Sequence, residues 1–110
     1  MIDEAKQRRL EGQGWRVGSA DEFLGLSAEE SAYVALRLRL GDALRTRRRQ
    51  QHLTQVELAR RIQSSQSRVA KMEAGDASIS LDLLIRSLFA LGASNRDLAE
   101  AIDDPGAIVA

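Results

Sequence analysis

Apolar residues along this 110-residue chain recur three and four positions apart rather than alternating, with serine and glycine punctuating the polar residues between them. That spacing puts an apolar stripe on one side of a helix. It predicts helices over about 28–51, 55–62, 66–74, 81–91 and 95–102, with short helical turns near 3–10 and 20–24. β-Branched and aromatic residues are sparse, so few strand signals compete. In the first and longest helix the apolar positions are Tyr33, Val34, Leu36, Leu38, Leu40 and Leu44. Gly41 lies among them at a cost of about 1 kcal/mol against alanine, which marks either a bend or a close approach by a neighbouring helix.

The helix starts are written in local chemistry. Ser19 with Glu22, and Ser27 with Glu30, fit capping boxes, in which hydroxyl and carboxylate satisfy each other's backbone N–H groups. Thr54 with Glu57 precedes the second helix. Ser80 and Ser94 open two more, and Asp97 supplies an acid in the first turn of the last. Residues 12–19, GQGWRVGS, read as a linker or short strand whose Trp15 and Val17 could clasp the helical body, or equally as an ordered loop with one buried aromatic. Residues 103–110 read as a fraying terminus or a short interface segment.

Charge sharpens this picture. The net charge is zero, yet residues 37–71 carry +8, residues 1–36 carry −3 and residues 72–110 carry −5. A basic centre between acidic ends is the footprint of a polyanion-binding protein. No cysteine is present, which excludes disulfides, thiol catalysis and thiolate-bound metal. The single histidine, His52, excludes a multi-histidine metal site and reads as a surface or hinge residue. No enzyme or nucleotide-binding motif is visible, so neither catalysis nor a cofactor is expected. No apolar run approaches a membrane span, and the N-terminus is too polar for a secretory signal; the expectation is a cytoplasmic protein.

The function concentrates in TQVELARRIQSSQSRVAKMEAG, residues 54–75. Leu58, Ala59 and Ile62 form the inward stripe of one short helix, and Val69 and Met72 that of the next. Ala59 is small enough to let the two cross closely. Ser65 can cap the second helix, leaving Gln66, Ser67, Ala70 and Lys71 facing outward at its beginning. This is the pattern of a helix-turn-helix, whose second helix enters the DNA major groove N-terminus first.

LTQVELARRIQSSQSRVAKMEAG, followed by SLDLLIRSLFALGAS, resembles the phage-repressor-like (Xre/Cro) helix-turn-helix family over about residues 38–102. The matching places are Leu53-Thr54-Gln55, Glu57-Leu58-Ala59, Ser65-Gln66-Ser67, Val69, Met72-Glu73, Gly75 and Leu91-Gly92. The resemblance implies an all-α, five-helix lambda-repressor-like DNA-binding domain over 38–102, here with a long first helix. Residues 1–37 would be an N-terminal extension for dimerisation or partner binding, and 103–110 a C-terminal tail. It implies a homodimer on a pseudo-palindromic duplex and a role as an autoregulating repressor. Gln66, Ser67 and Lys71 match base-reading positions. Gln55, Ser65, Arg68 and Arg47 would meet phosphates, Gln55 also buttressing Gln66. Arg48 and Glu73 match a semi-buried ion pair that positions the reading helix. Arg45, Arg49, Arg60 and Arg61 should divide between phosphates and peripheral acids. Many family members have glycine in the turn where this chain has Gln63, so strain is expected there. The preface before residue 38 is similar to that of HigA-like antitoxins, which implies a small RelE-fold ribonuclease toxin as a further partner. The alternative from another class is a protein-interaction adaptor that keeps the fold without binding DNA.

Overall fold

The computed structural model describes residue 25 and residues 27–103. The chain divides into two compact units, residues 1–33 and 34–110. Five helices are described: α1 (Ala28–Gln50), α2 (Gln55–Arg61), α3 (Gln66–Glu73), α4 (Leu81–Ala90) and α5 (Asn95–Asp103). No strand occurs among the described residues. The expected boundaries hold to within a residue at each end. The capping box at Ser19, the turns near 3–10 and 20–24, the clasp of Trp15 and Val17, and residues 104–110 lie outside the described set.

The starts follow the predicted chemistry. Ser27 Oγ accepts from the Glu30 N–H at 3.1 Å, and the Ser27 N–H donates to Glu30 Oε1 at 3.4 Å. Thr54 and Glu57 form the same reciprocal pair at 3.1 and 2.9 Å. Ser94 and Asp97 form a third, at 3.1 and 2.8 Å, so Asp97 does more than favour the helix dipole. Ser65 and Ser80 cap α3 and α4 through their hydroxyls.

The ends share one geometry. After each of α1 to α4, an N–H returns to the carbonyl five residues back: Leu53 to Arg48, Ser64 to Ala59, Asp76 to Lys71 and Ala93 to Leu88, at 2.8–3.1 Å. The residue before each donor is left-handed, as this closure requires. It is glycine at Gly75 and Gly92, φ 70° and 87°, but His52 and Gln63 at the other two, φ 58° and 55°. His52 is exposed, and its role is this stop.

α2, α3, α4 and α5 have 7, 8, 10 and 9 residues. Helices so short are marginal in water and depend on packing. The core is Leu40 and Leu44 of α1, Leu58 and Ala59 of α2, Val69 and Met72 of α3, Leu84 and Leu88 of α4, and Ile79, Leu91 and Ala93 from the connections. Fully burying one leucine contributes roughly 1.5–3 kcal/mol. Of the apolar positions of α1, only Leu40 and Leu44 are core. Tyr33, Val34 and Leu38 are exposed, since the buried positions of α1 begin at Leu40.

Gly41 marks a close approach. A methyl there would lie 2.5 Å from the Met72 carbonyl oxygen and 3.0 Å from that of Glu73. The C-terminal end of α3 therefore rests directly on the α1 backbone.

Candidate nucleic-acid interface

The outward face of α3 is set by what its inward face buries. Val69 and Met72 are fully buried, and beneath Met72 the buried Ser87 turns its hydroxyl to the Leu83 carbonyl at 2.8 Å. This orientation leaves Gln66, Ser67, Arg68 and Lys71 exposed. The turn that aims α3 closes through Gln63 in a left-handed conformation, so the strain expected of a non-glycine residue is present.

The start of α3 is tied to its end by a chain of polar contacts through two other helices. Arg48, on α1, donates from Nε to Glu73 Oε2 at 2.6 Å and from Nη2 to Glu73 Oε1 at 3.0 Å. Its Nη1 donates to the Leu53 carbonyl at 2.8 Å. Gln55, the first residue of α2, donates from Nε2 to Glu73 Oε1 at 3.1 Å. Gln66, the first residue of α3, donates from Nε2 to Gln55 Oε1 at 2.7 Å. Arg48 and Glu73 are both buried, and the Glu73 hydrogen bonds raise the Arg48 pKa further above its ordinary value. Removing one partner of such a pair strands a buried charge, at a cost of about 3–5 kcal/mol. The pair therefore ties α1 to the end of α3, and Gln55 links it to the start of the same helix.

A polar groove runs beside α3, lined by Ser64, Ser65, Ser67, Arg68, Lys71, Ser78 and Ile79. Ser65 Oγ accepts the Arg68 N–H at 3.2 Å and lies 3.4 Å from Ser67 Oγ, a contact in which either hydroxyl can donate. Ser64 Oγ is shielded from solvent and has no hydrogen-bond partner. An unsatisfied hydroxyl of that kind costs about 1–3 kcal/mol, which a ligand oxygen would relieve. Hydroxyls and two cations around one concavity suit an anionic backbone.

Ser64 and Ser78 escaped the sequence reading. Ser64 lies in the turn, and Ser78 reaches the groove only because the connection after α3 folds back. Arg37 Nη1 donates to the Asp76 carbonyl there at 3.4 Å, and the Ser78 N–H donates to Asp76 Oδ1 at 2.8 Å. The Ser78 hydroxyl and N–H hold the Asp76 carboxyl below its ordinary range.

Arg47 is placed elsewhere. Its Nη2 meets Asp97 Oδ2 at 3.0 Å, and it lines a different groove, with Leu88, Leu98 and Ala101. The structure thus brings Gln55, Ser65, Gln66, Ser67, Arg68 and Lys71 together and leaves Arg47 out. Of the remaining arginines, Arg45 approaches Glu73 at 3.8 Å, whereas Arg49, Arg60 and Arg61 are exposed. Among the described residues no group of His, Cys, Asp or Glu is arranged to hold a metal ion, and no helix is long and apolar enough to cross a membrane.

A family model described as helix-turn-helix matches residues 44–86, from the buried part of α1 into α4. Comparison with curated proteins and with solved structures gives no match. Over residues 44–86, which span the end of α1, all of α2 and α3 and the start of α4, the chain is therefore similar to helix-turn-helix proteins.

Proposed function

We propose that this protein is a sequence-specific repressor that binds its own promoter as a homodimer, reading bases with Gln66, Ser67 and Lys71. The observation that carries this reading is the buttressed Gln66 at the exposed start of α3, 2.7 Å from Gln55 and beside a groove of hydroxyls and cations. A side-chain amide held in that way can pair with the N6 and N7 edge of adenine. Lys71 stands about one helical turn beyond Ser67 on the same face and favours a guanine edge. Ser65, Arg68, Ser64 and Ser78 take the phosphates of one strand, and Gln55 supports them from α2.

Two copies would place their α3 helices about 34 Å apart on a pseudo-palindrome. The dimer contact uses Phe89 of α4 and Ile102 of α5, which leave 45% and 43% of their surfaces exposed in the single chain. The toxin-binding role expected from the preface rests largely on residues outside the described set and forms no part of this reading.

Fluorescence anisotropy tests the proposal, with the duplex upstream of the protein's own reading frame and a scrambled duplex at two salt concentrations. Wild type should prefer the upstream duplex, and Gln66→Ala should lose about 1–3 kcal/mol of that preference. Equal, salt-sensitive binding to both duplexes would refute self-regulation. An absence of binding at low salt would favour the adaptor reading.

A further inference from the structure

A groove of about 250 Å³ lies between α1 and α5, with Ala43, Leu88, Leu98 and Ala101 among its apolar lining. On α1, Gly41 is the residue that meets α3. It stands two residues, about 200° of helix, from both Arg39 and Ala43. The groove therefore opens on the far side of α1 from α3. It shares no residue with the polar groove beside α3, and neither Phe89 nor Ile102 lines it. Its size falls just under the roughly 300–1,000 Å³ of pockets for drug-sized ligands, so it suits a smaller occupant.

The charged groups of this groove are unevenly satisfied. Arg47 and Asp97 meet at 3.0 Å and answer each other. Arg39 is half-buried, and its Nε is shielded from solvent with no hydrogen-bond partner. Among the described residues Arg39 makes no ion pair either, and neither do Asp42 and Glu100. An arginine keeps its charge at any ordinary pH, and a guanidinium N–H withdrawn from water without an acceptor is costly. The groove thus presents one unanswered cation and two unanswered carboxylates beside an apolar lining.

A carboxylate supplies the missing acceptor, since it fits the guanidinium fork through two parallel hydrogen bonds. A simple anion would leave Asp42 and Glu100 opposing it, and a dianion such as phosphate would be repelled more strongly. A ligand with an ammonium beside its carboxylate answers both signs. We infer that the groove binds a free α-amino acid with an apolar side chain, of the size of leucine or phenylalanine. The carboxylate pairs with Arg39, the ammonium with Asp42 and Glu100, and the side chain covers Leu88, Leu98 and Ala101. This site stands apart from the DNA-binding reading and does not rest on it.

Proton–nitrogen NMR spectra of the whole chain test the site by titration. Leucine and phenylalanine should give saturable shifts at the backbone amides of Arg39, Ala43, Leu98 and Ala101 and at the Arg39 Nε–H. Leucinamide lacks the carboxylate and N-acetyl-leucine lacks the ammonium. Each should bind roughly 10- to 100-fold more weakly than leucine, the loss expected for a hydrogen bond to a charged group. Arg39→Met keeps an apolar stem, removes the fork and should weaken leucine by a similar factor. Asp42→Asn combined with Glu100→Gln should weaken leucine and spare N-acetyl-leucine; neither residue is buried, so this variant keeps the test open if Arg39→Met does not fold. Melting curves establish which variants are folded. An absence of saturable shifts with both amino acids would overturn the proposal. Undiminished binding to folded Arg39→Met, or equal binding of leucine and N-acetyl-leucine, would overturn it too. Shifts in the groove that follow protein concentration alone would make it a contact between two copies and would likewise overturn it. None of these outcomes bears on duplex binding, which is measured separately.

Discussion

Gln63 carries a side chain in a backbone conformation that L-residues avoid, φ 55°, at the turn that aims α3. A left-handed non-glycine residue costs roughly 1–2 kcal/mol. The same helix stop at Gly75 uses glycine, where φ is 70° and a methyl would also lie 2.8 Å from Leu38 Cδ2. Two opposite substitutions follow from one geometry. Gln63→Gly should stabilise the protein by about 1 kcal/mol, less whatever glycine adds to the entropy of the unfolded chain. Gly75→Ala should destabilise it by more than about 1 kcal/mol, through both strain and contact with Leu38. Urea unfolding at neutral pH measures both, as midpoint shifts in opposite directions. Gln63 also shows what single residues disclose: its strain was expected only because many members of the family that the chain resembles place glycine in that turn. The partner of Arg47 was not legible. Asp97 lies fifty positions away, and the sequence holds no local signal that selects it over the other acids.

At the scale of elements, the helix starts were the most legible feature, because a cap needs only residues three apart. Their energetics have a pH signature. Hydrogen bonds from the Thr54 N–H and hydroxyl lower the Glu57 pKa below its ordinary 4.5. Those from the Ser94 N–H and hydroxyl, with Arg47 adding to them, lower Asp97 below 3.8. In both cases the unfolded chain binds the proton more readily than the folded one. The stabilisation is thus complete above the ordinary carboxylate values and is lost as pH falls through the lower folded values. Stability measured by urea from pH 7 to pH 3 should fall at the acid end, and the fall should be shallower in Asp97→Asn. The crossing of α1 and α3 was only half legible. Gly41 announced either a bend or a contact, and the contact depends on where α3 ends, which the fold determines. Since a methyl on Gly41 would stand 2.5 Å from the Met72 carbonyl oxygen, Gly41→Ala should push α3 outward and cost about 1–3 kcal/mol. Because that same end of α3 carries Glu73, the variant should lose DNA discrimination as well as thermal stability, which melting and anisotropy would show together.

Across the whole molecule, the segregated charge divides the arginines into those that hold the fold and those open to a polyanion. The excess of +8 over residues 37–71 is not one uniform surface. Arg48 is consumed by Glu73, and Arg47 by Asp97; Arg68 and Lys71 line the groove beside α3. Salt dependence can distinguish these groups because only cations that displace counterions from DNA contribute to it, each adding about 0.9 to the log–log slope on a duplex. Arg68→Ala should flatten the slope by about that amount and leave the melting temperature nearly unchanged. Arg47→Ala should do the reverse. It leaves the slope intact and lowers stability modestly, since a part-exposed ion pair is worth about 0–1 kcal/mol. Affinity titrations at four or more salt concentrations, paired with melts of the same variants, decide the assignment. A slope that flattens in Arg47→Ala would mean that the Asp97 contact opens on binding and that Arg47 joins the phosphate-binding set after all.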